Sequence, residues 1–181
     1  AVIPVVLGVV APLSGALSDR FGTRIITVIG LAFLVFGYWA MSSLSVDTGT
    51  WGFIFRLLPV GLGMGVFQSP NNSAIMGAVS RQRLGLASGL LAVTRTLGQT
   101  AGIAVLGAVW AARVTYYTGE ILPGGPTTAP VTAQVNGLQD TFRVVIVLIF
   151  IALLLGLWGL VQARRGGRKA ETTSVEAEAR P

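Results

Sequence analysis

Gly15-Ala16-Leu17-Ser18-Asp19-Arg20-Phe21-Gly22-Thr23-Arg24 is a compact charged turn set between two long apolar runs. A soluble core has no use for two arginines, an aspartate and two glycines packed between segments of that kind. In a bilayer the same pattern reads as two spanning helices joined by a short loop, with the loop's cations at the headgroups.

Composition extends this reading to the whole chain. Apolar residues make up 52% and charged residues only 11%, and the mean hydropathy is +0.73, which is the balance of a polytopic membrane protein. The formal charge of +6 does not point to nucleic acid, because the basic residues neither line one helix face nor interleave with aromatics. Cysteine and histidine are absent, so no disulfide framework and no His/Cys metal set exist. No nucleophile stands beside a base, and Gly61-x-Gly63-x-Gly65 lacks the spacing and strand context of a dinucleotide loop. The sequence therefore predicts neither an enzyme nor a cofactor.

Five hydrophobic segments follow one another: 1–17, 25–44, 53–79, 84–112 and 142–161. All are expected to be helices, since an unpaired strand in lipid leaves its backbone polar groups unsatisfied. The fold class is thus all-α membrane protein with about five transmembrane helices. The first segment begins inside an apolar run, without an initiator methionine or a basic leader, as expected for a fragment of a longer protein.

Loop charge sets the expected orientation. If the turn at 18–24 is inside, so are 80–83 and the tail at 164–181, and these hold nine of the thirteen basic residues. The positive-inside rule then puts the carboxyl terminus in the cytoplasm. The outside loops are 45–51 and the long stretch Arg113 to Thr141, read as irregular around Pro123-Gly124-Gly125-Pro126, with Asp140 or Thr141 capping the last helix. The basic, then polar tail is expected to be disordered.

The turn resembles the loop motif of the major facilitator superfamily, G-x-x-x-D-R/K-x-G-R-R/K, at Gly15, Asp19, Arg20, Gly22 and Arg24; Thr23 departs from it, as is common in the second-half copy. Arg56-Leu57-Leu58-Pro59-Val60-Gly61-Leu62-Gly63-Met64-Gly65, Ser69-Pro70-Asn71-Asn72 and Arg95-Thr96-Leu97-Gly98 are similar to the later helices of fourteen-span drug:proton antiporters of the EmrB/QacA type. The resemblance implies part of the carboxyl-terminal six-helix bundle of a major facilitator fold. It also implies that the turn is a latch favouring one alternating-access state. Physically, Gly15 allows close helix approach, Gly22 a tight reversal, and Asp19 suits the positive end of the next helix.

Inside the predicted spans, Gln68, Asn71 and Asn72 share one face by their spacing and should look into the protein or a wet cavity, either as glue between helices or as substrate lining. Pro70 should kink the third helix. Gly61 and Gly65, Gly85 and Gly89, and Gly98 and Gly102 match the small-xxx-small pattern of close helix packing. Arg95 stands in mid-segment. A central arginine costs about 2.5 to 3.5 kcal/mol on the insertion scale, and the Leu, Ile and Val residues between Leu84 and Val109 return only about 3 to 6. Arg95 therefore needs a carboxylate or carbonyl partner. Ser88, Arg95, Gln99 and Gly102 share a face, which should point inward. Arg56, Gln68, Asn71, Asn72, Arg95 and Gln99 are the cavity candidates. All seven acids fall in segments read as loops or tail, so no intramembrane carboxylate is expected.

These readings combine into a secondary transporter of the bacterial cytoplasmic (inner) membrane. The resemblance implies multidrug efflux by proton antiport, with amphipathic, cationic drug-like substrates, protons, membrane lipids and a missing amino-terminal half as partners. A facilitator-family exporter of a metabolite and a non-transporting membrane scaffold are the alternatives.

Overall fold

In the computed structural model the backbone of residues 2–178 and the side chains of residues 3–162 are described. The expected basic and polar tail, 164–181, lies outside the residues whose side chains are described. Five helices follow in order: α1 (Val2–Phe21), α2 (Thr23–Met41), α3 (Thr50–Gly77), α4 (Leu84–Thr118) and α5 (Val131–Glu178), with single 3-10 turns at Arg81–Arg83 and Pro126–Thr128. There is no strand among the described residues. All five helices are long and apolar enough to cross a membrane. This is the architecture expected from the hydrophobic segments.

The body of the bundle is α2 packed on α3, with α1 also against α3 and α5 against α2. Leu31, Leu34, Met41, Leu44 and Val60 form its buried core, joined by Phe67, Phe142 and Ile149. Glycine makes the α2–α3 approach possible. A Cβ on Gly30 would lie 2.6 Å from the Phe67 backbone nitrogen, and one on Gly63 would lie 2.7 Å from that of Leu34. At these points backbone meets backbone, the close approach that small residues permit in membrane helices. Gly61 and Gly65 serve the neighbouring contact, facing Val6 and Val10 of α1. Ser14 of α1 adds a buried hydrogen bond, its hydroxyl donating to the Gly65 carbonyl at 3.0 Å.

α4 is different. It is joined chiefly to α5 and touches α3 only lightly. Gly85, Gly89, Gly98 and Gly102, expected at packed interfaces, have nothing within 4 Å of an added Cβ among the described residues. Leu86, Leu90, Leu97 and Ile103 stand exposed along the same helix.

The longest expected loop turns out to be mostly helix. α4 continues through Thr118 and α5 starts at Val131, leaving 119–130 as the connection. Asp140 and Thr141 are therefore not caps. They lie inside α5 and are buried, 5% and 6% exposed. The cause is a stripe of small residues. Ala133 and Gly137 fall four apart on α5 and pack on the fully buried Val114 of α4. The Trp110 indole N–H also donates to the Gln134 carbonyl at 3.1 Å. Polar Gln134, Asn136, Gln139 and Asp140 hide this stripe from a hydropathy count.

Candidate functional site

The opening turn is even tighter than its sequence predicts. α1 runs to Phe21 and α2 begins at Thr23, so Gly22 alone makes the reversal. Its φ of 90° lies in the left-handed region, open to glycine at no steric cost, and its N–H donates to the Ser18 carbonyl at 2.9 Å. Gly15 brings α1 against α3, since a Cβ there would meet the Ser69 hydroxyl at 3.3 Å. Asp19 does not stand at the start of α2. It occupies the last turn of α1, exposed, with no ion pair and no bond to the first turn of α2 among the described residues. A negative charge at a helix carboxyl end is unfavourable with the helix dipole, whereas Arg20 in the same turn is favourable. Arg24 lines a cavity of about 520 Å³ with Thr27, Asn71, Gly156 and Gln162.

The polar residues of α3 and α4 converge elsewhere. Between these helices lies a groove of about 500 Å³, floored by Leu34 and Tyr38 of α2 and Ile149 of α5. α3 contributes Met64, Phe67, Gln68, Asn71 and Asn72 to it, and α4 contributes Leu91, Thr94 and Arg95. One Nη of Arg95 donates to the Asn72 side-chain oxygen at 3.1 Å, so the arginine has a carbonyl partner. This is a neutral acceptor, and a guanidinium has five N–H donors to place. Four of the six cavity candidates thus share one wall. Gln99 lies one turn beyond Arg95, exposed and outside the groove. Arg56 is elsewhere again, donating to the Ser43 hydroxyl at 3.2 Å and the Gly52 carbonyl at 3.1 Å near the α2–α3 connection. Pro70 is buried within an α3 that is helical without interruption from Thr50 to Gly77.

Sequence reasoning missed a second charged centre. The Asp140 carboxylate accepts from Arg113 Nε at 2.8 Å, from the Tyr117 hydroxyl at 2.9 Å and from Arg143 at 2.6 Å. The aspartate side chain is 6% exposed while the two arginines are 46% and 62% exposed. The acid is thus shielded and its partners remain open to the surroundings. One residue earlier, the Gln139 amide donates to the Leu44 carbonyl, which ties α5 to the α2–α3 connection. Together these bonds clasp α4, α5 and α2 at one end of the bundle. The spacing of Asp140 and Arg143, three apart, was visible in the sequence as a helical pair, but only if 131–141 was read as helix.

No family model matches the chain. Known proteins do. The chain is 34% identical over 113 residues to the riboflavin transporter RibZ of Clostridioides difficile, covering 62% of this chain and 25% of that protein. It is 32% identical over 138 residues to the uncharacterized transporter YebQ of Escherichia coli, covering 76% of this chain and 30% of that one. It is 35% identical over 106 residues to the multidrug resistance protein Stp of Mycobacterium tuberculosis, covering 59% and 20%. The matched region is thus a third or less of each curated relative's length. The five spans and these relatives agree with the resemblance read from the turn: this is a multi-pass membrane chain related to bacterial transporters, among them a multidrug resistance protein.

Proposed function

We propose that the chain is the carboxyl-terminal part of a major facilitator transporter of the bacterial cytoplasmic membrane that exports amphipathic, drug-like compounds in exchange for protons. The observation that carries this reading is the groove between α3 and α4. It gathers Gln68, Asn71, Asn72 and Arg95 against Phe67, Met64 and Leu34, an apolar wall with a few placed polar groups, as small-molecule sites have. Its size is also in the range of such sites. Transporters of this kind hold substrate near the midplane between two repeats that rock against one another, and α4 presents a side with little protein against it, suited to a second repeat. A relative named for multidrug resistance supports export, and one named for riboflavin transport is compatible with the metabolite alternative.

The turn at Gly15 to Arg24 is proposed as the latch between states, with the carboxyl terminus on the same, cytoplasmic side. Its support is the single-residue reversal at Gly22, the close approach of Gly15 to α3, and an Asp19 left exposed and free of partners among the described residues. Such an acid is available to a partner in another conformation.

The test is transport by the longer protein proposed to contain this chain. Reconstituted into vesicles with an imposed pH gradient, it should move xanthene dyes in a drug-competed manner, and an uncoupler should stop the movement. The same protein with Asp19→Asn should insert normally and transport poorly. A full-length protein that neither binds nor moves amphipathic dyes would favour the scaffold alternative.

A further inference from the structure

Among the described residues the α3–α4 groove is charged in only one sense, and we infer that it selects amphipathic compounds bearing an anionic oxygen, a carboxylate, phenolate or enolate, over cationic ones. The inference rests on the transporter reading and departs from the cationic substrates implied by the family resemblance. Among the described residues Arg95 is the one charged side chain lining the groove, and its single hydrogen bond goes to the neutral amide of Asn72. The remaining guanidinium N–H groups are donors, and they form a planar fork matched to a pair of oxygens.

No carboxylate among the described residues lines the groove to offset this charge. The buried acid of the described chain, Asp140, is committed to Arg113, Tyr117 and Arg143. Asp19 belongs to the α1–α2 turn. In an apolar wall made by Leu34, Met64, Phe67 and Ile149, charge interactions are stronger than in water, so a ligand cation is repelled and a ligand anion held. Gln68 and Asn71 add amide donors and acceptors that fix orientation, while the Phe67 and Tyr38 rings give a flat ligand a surface to lie on. Asn72 positions the arginine; its oxygen accepts from Arg95 and so orients the fork without neutralising it.

Two xanthene dyes of similar shape and opposite charge, carboxyfluorescein and rhodamine 6G, separate the possibilities. In vesicles holding the longer protein, carboxyfluorescein should be the better substrate. Arg95→Gln should lower its transport and binding by about tenfold or more, the usual loss when a charge-assisted hydrogen bond is removed. Arg95→Lys should fall between the parent and Arg95→Gln, because the charge stays while the planar fork is lost. Rhodamine 6G transport should not fall in either variant. The thermal midpoint of Arg95→Gln should match the parent's, since the side chain is exposed and makes one neutral contact, so lost activity cannot be put down to misfolding. A preference for rhodamine 6G, or an equal loss of both dyes in a well-folded Arg95→Gln protein, would overturn the anion inference while leaving transport standing. Failure of the unmodified protein to bind or move either dye would overturn both.

Discussion

The clasp around Asp140 and the groove around Arg95 each join neighbouring helices through an arginine, yet they are built in opposite ways. In the clasp a shielded carboxylate is held by three donors from two helices, and the small-residue stripe of Ala133 and Gly137 beneath it is packed on Val114. In the groove an exposed guanidinium has one amide to hold, and the glycines of the same helix have no described residue within 4 Å of an added Cβ. The first arrangement satisfies its charges and fixes α4 to α5. The second leaves donor capacity unspent between helices with few contacts, which suits the ligand wall proposed above.

The contrast predicts unequal responses to mutation. Removing the acid of the clasp should have the largest effect. Asp140→Ala strands Arg113 and Arg143 beside one another and frees the Tyr117 hydroxyl, and it should cost about 2 to 4 kcal/mol, moderated by the exposure of the arginines. A thermal melt of the purified longer protein in detergent reads this directly, and an unchanged midpoint would reduce the clasp to surface decoration. Next comes the packed body. Gly63→Ala puts a Cβ against the Leu34 backbone and should cost about 1 to 2 kcal/mol through forced separation of α2 and α3. Smallest is the change on the open side. Gly98→Ala meets nothing within 4 Å and should leave the melt unchanged or raise it by up to about 1 kcal/mol, since alanine is the better helix former. A large loss there would mean that the glycine face of α4 is covered in the whole protein, and would locate the contact with the second repeat.

The parts of this architecture that follow from unbroken apolar runs were legible in the sequence. α2 and α3 are placed within a few residues, and the reversal at Gly22 needed only a glycine between two such runs. The need of Arg95 for a carbonyl or carboxylate partner followed from the cost of a charge in lipid, and the Asn72 face was read from spacing alone. What escaped was structure made by small and polar residues. The helix from Val131 to Thr141 buries Ala133 and Gly137 instead of leucines, so it resembles a loop to any count of hydropathy, and the burial of Asp140 was lost with it. The small-xxx-small pattern also failed to distinguish Gly61 and Gly65, which are packed, from Gly98 and Gly102, which are open, because the pattern records what a helix permits and not what lies opposite. Gly30, Gly37 and Gly63, which let the α2 and α3 backbones approach most closely, belong to no small-xxx-small pair.

The central claim is that the α3–α4 groove is a wet, ligand-facing wall, and cysteine labelling tests it most directly. The chain has no cysteine, so Gln68→Cys, with any upstream cysteines replaced, gives a single reporter inside the groove, and Leu155→Cys on the exposed apolar side of α5 gives a control outside it, expected to face lipid. Gln68→Cys should react with a water-soluble maleimide in vesicles, and a transported dye should slow that reaction, while Leu155→Cys should stay unlabelled. A Gln68→Cys thiol that is inert, or whose labelling rate ignores the dye, would contradict the account.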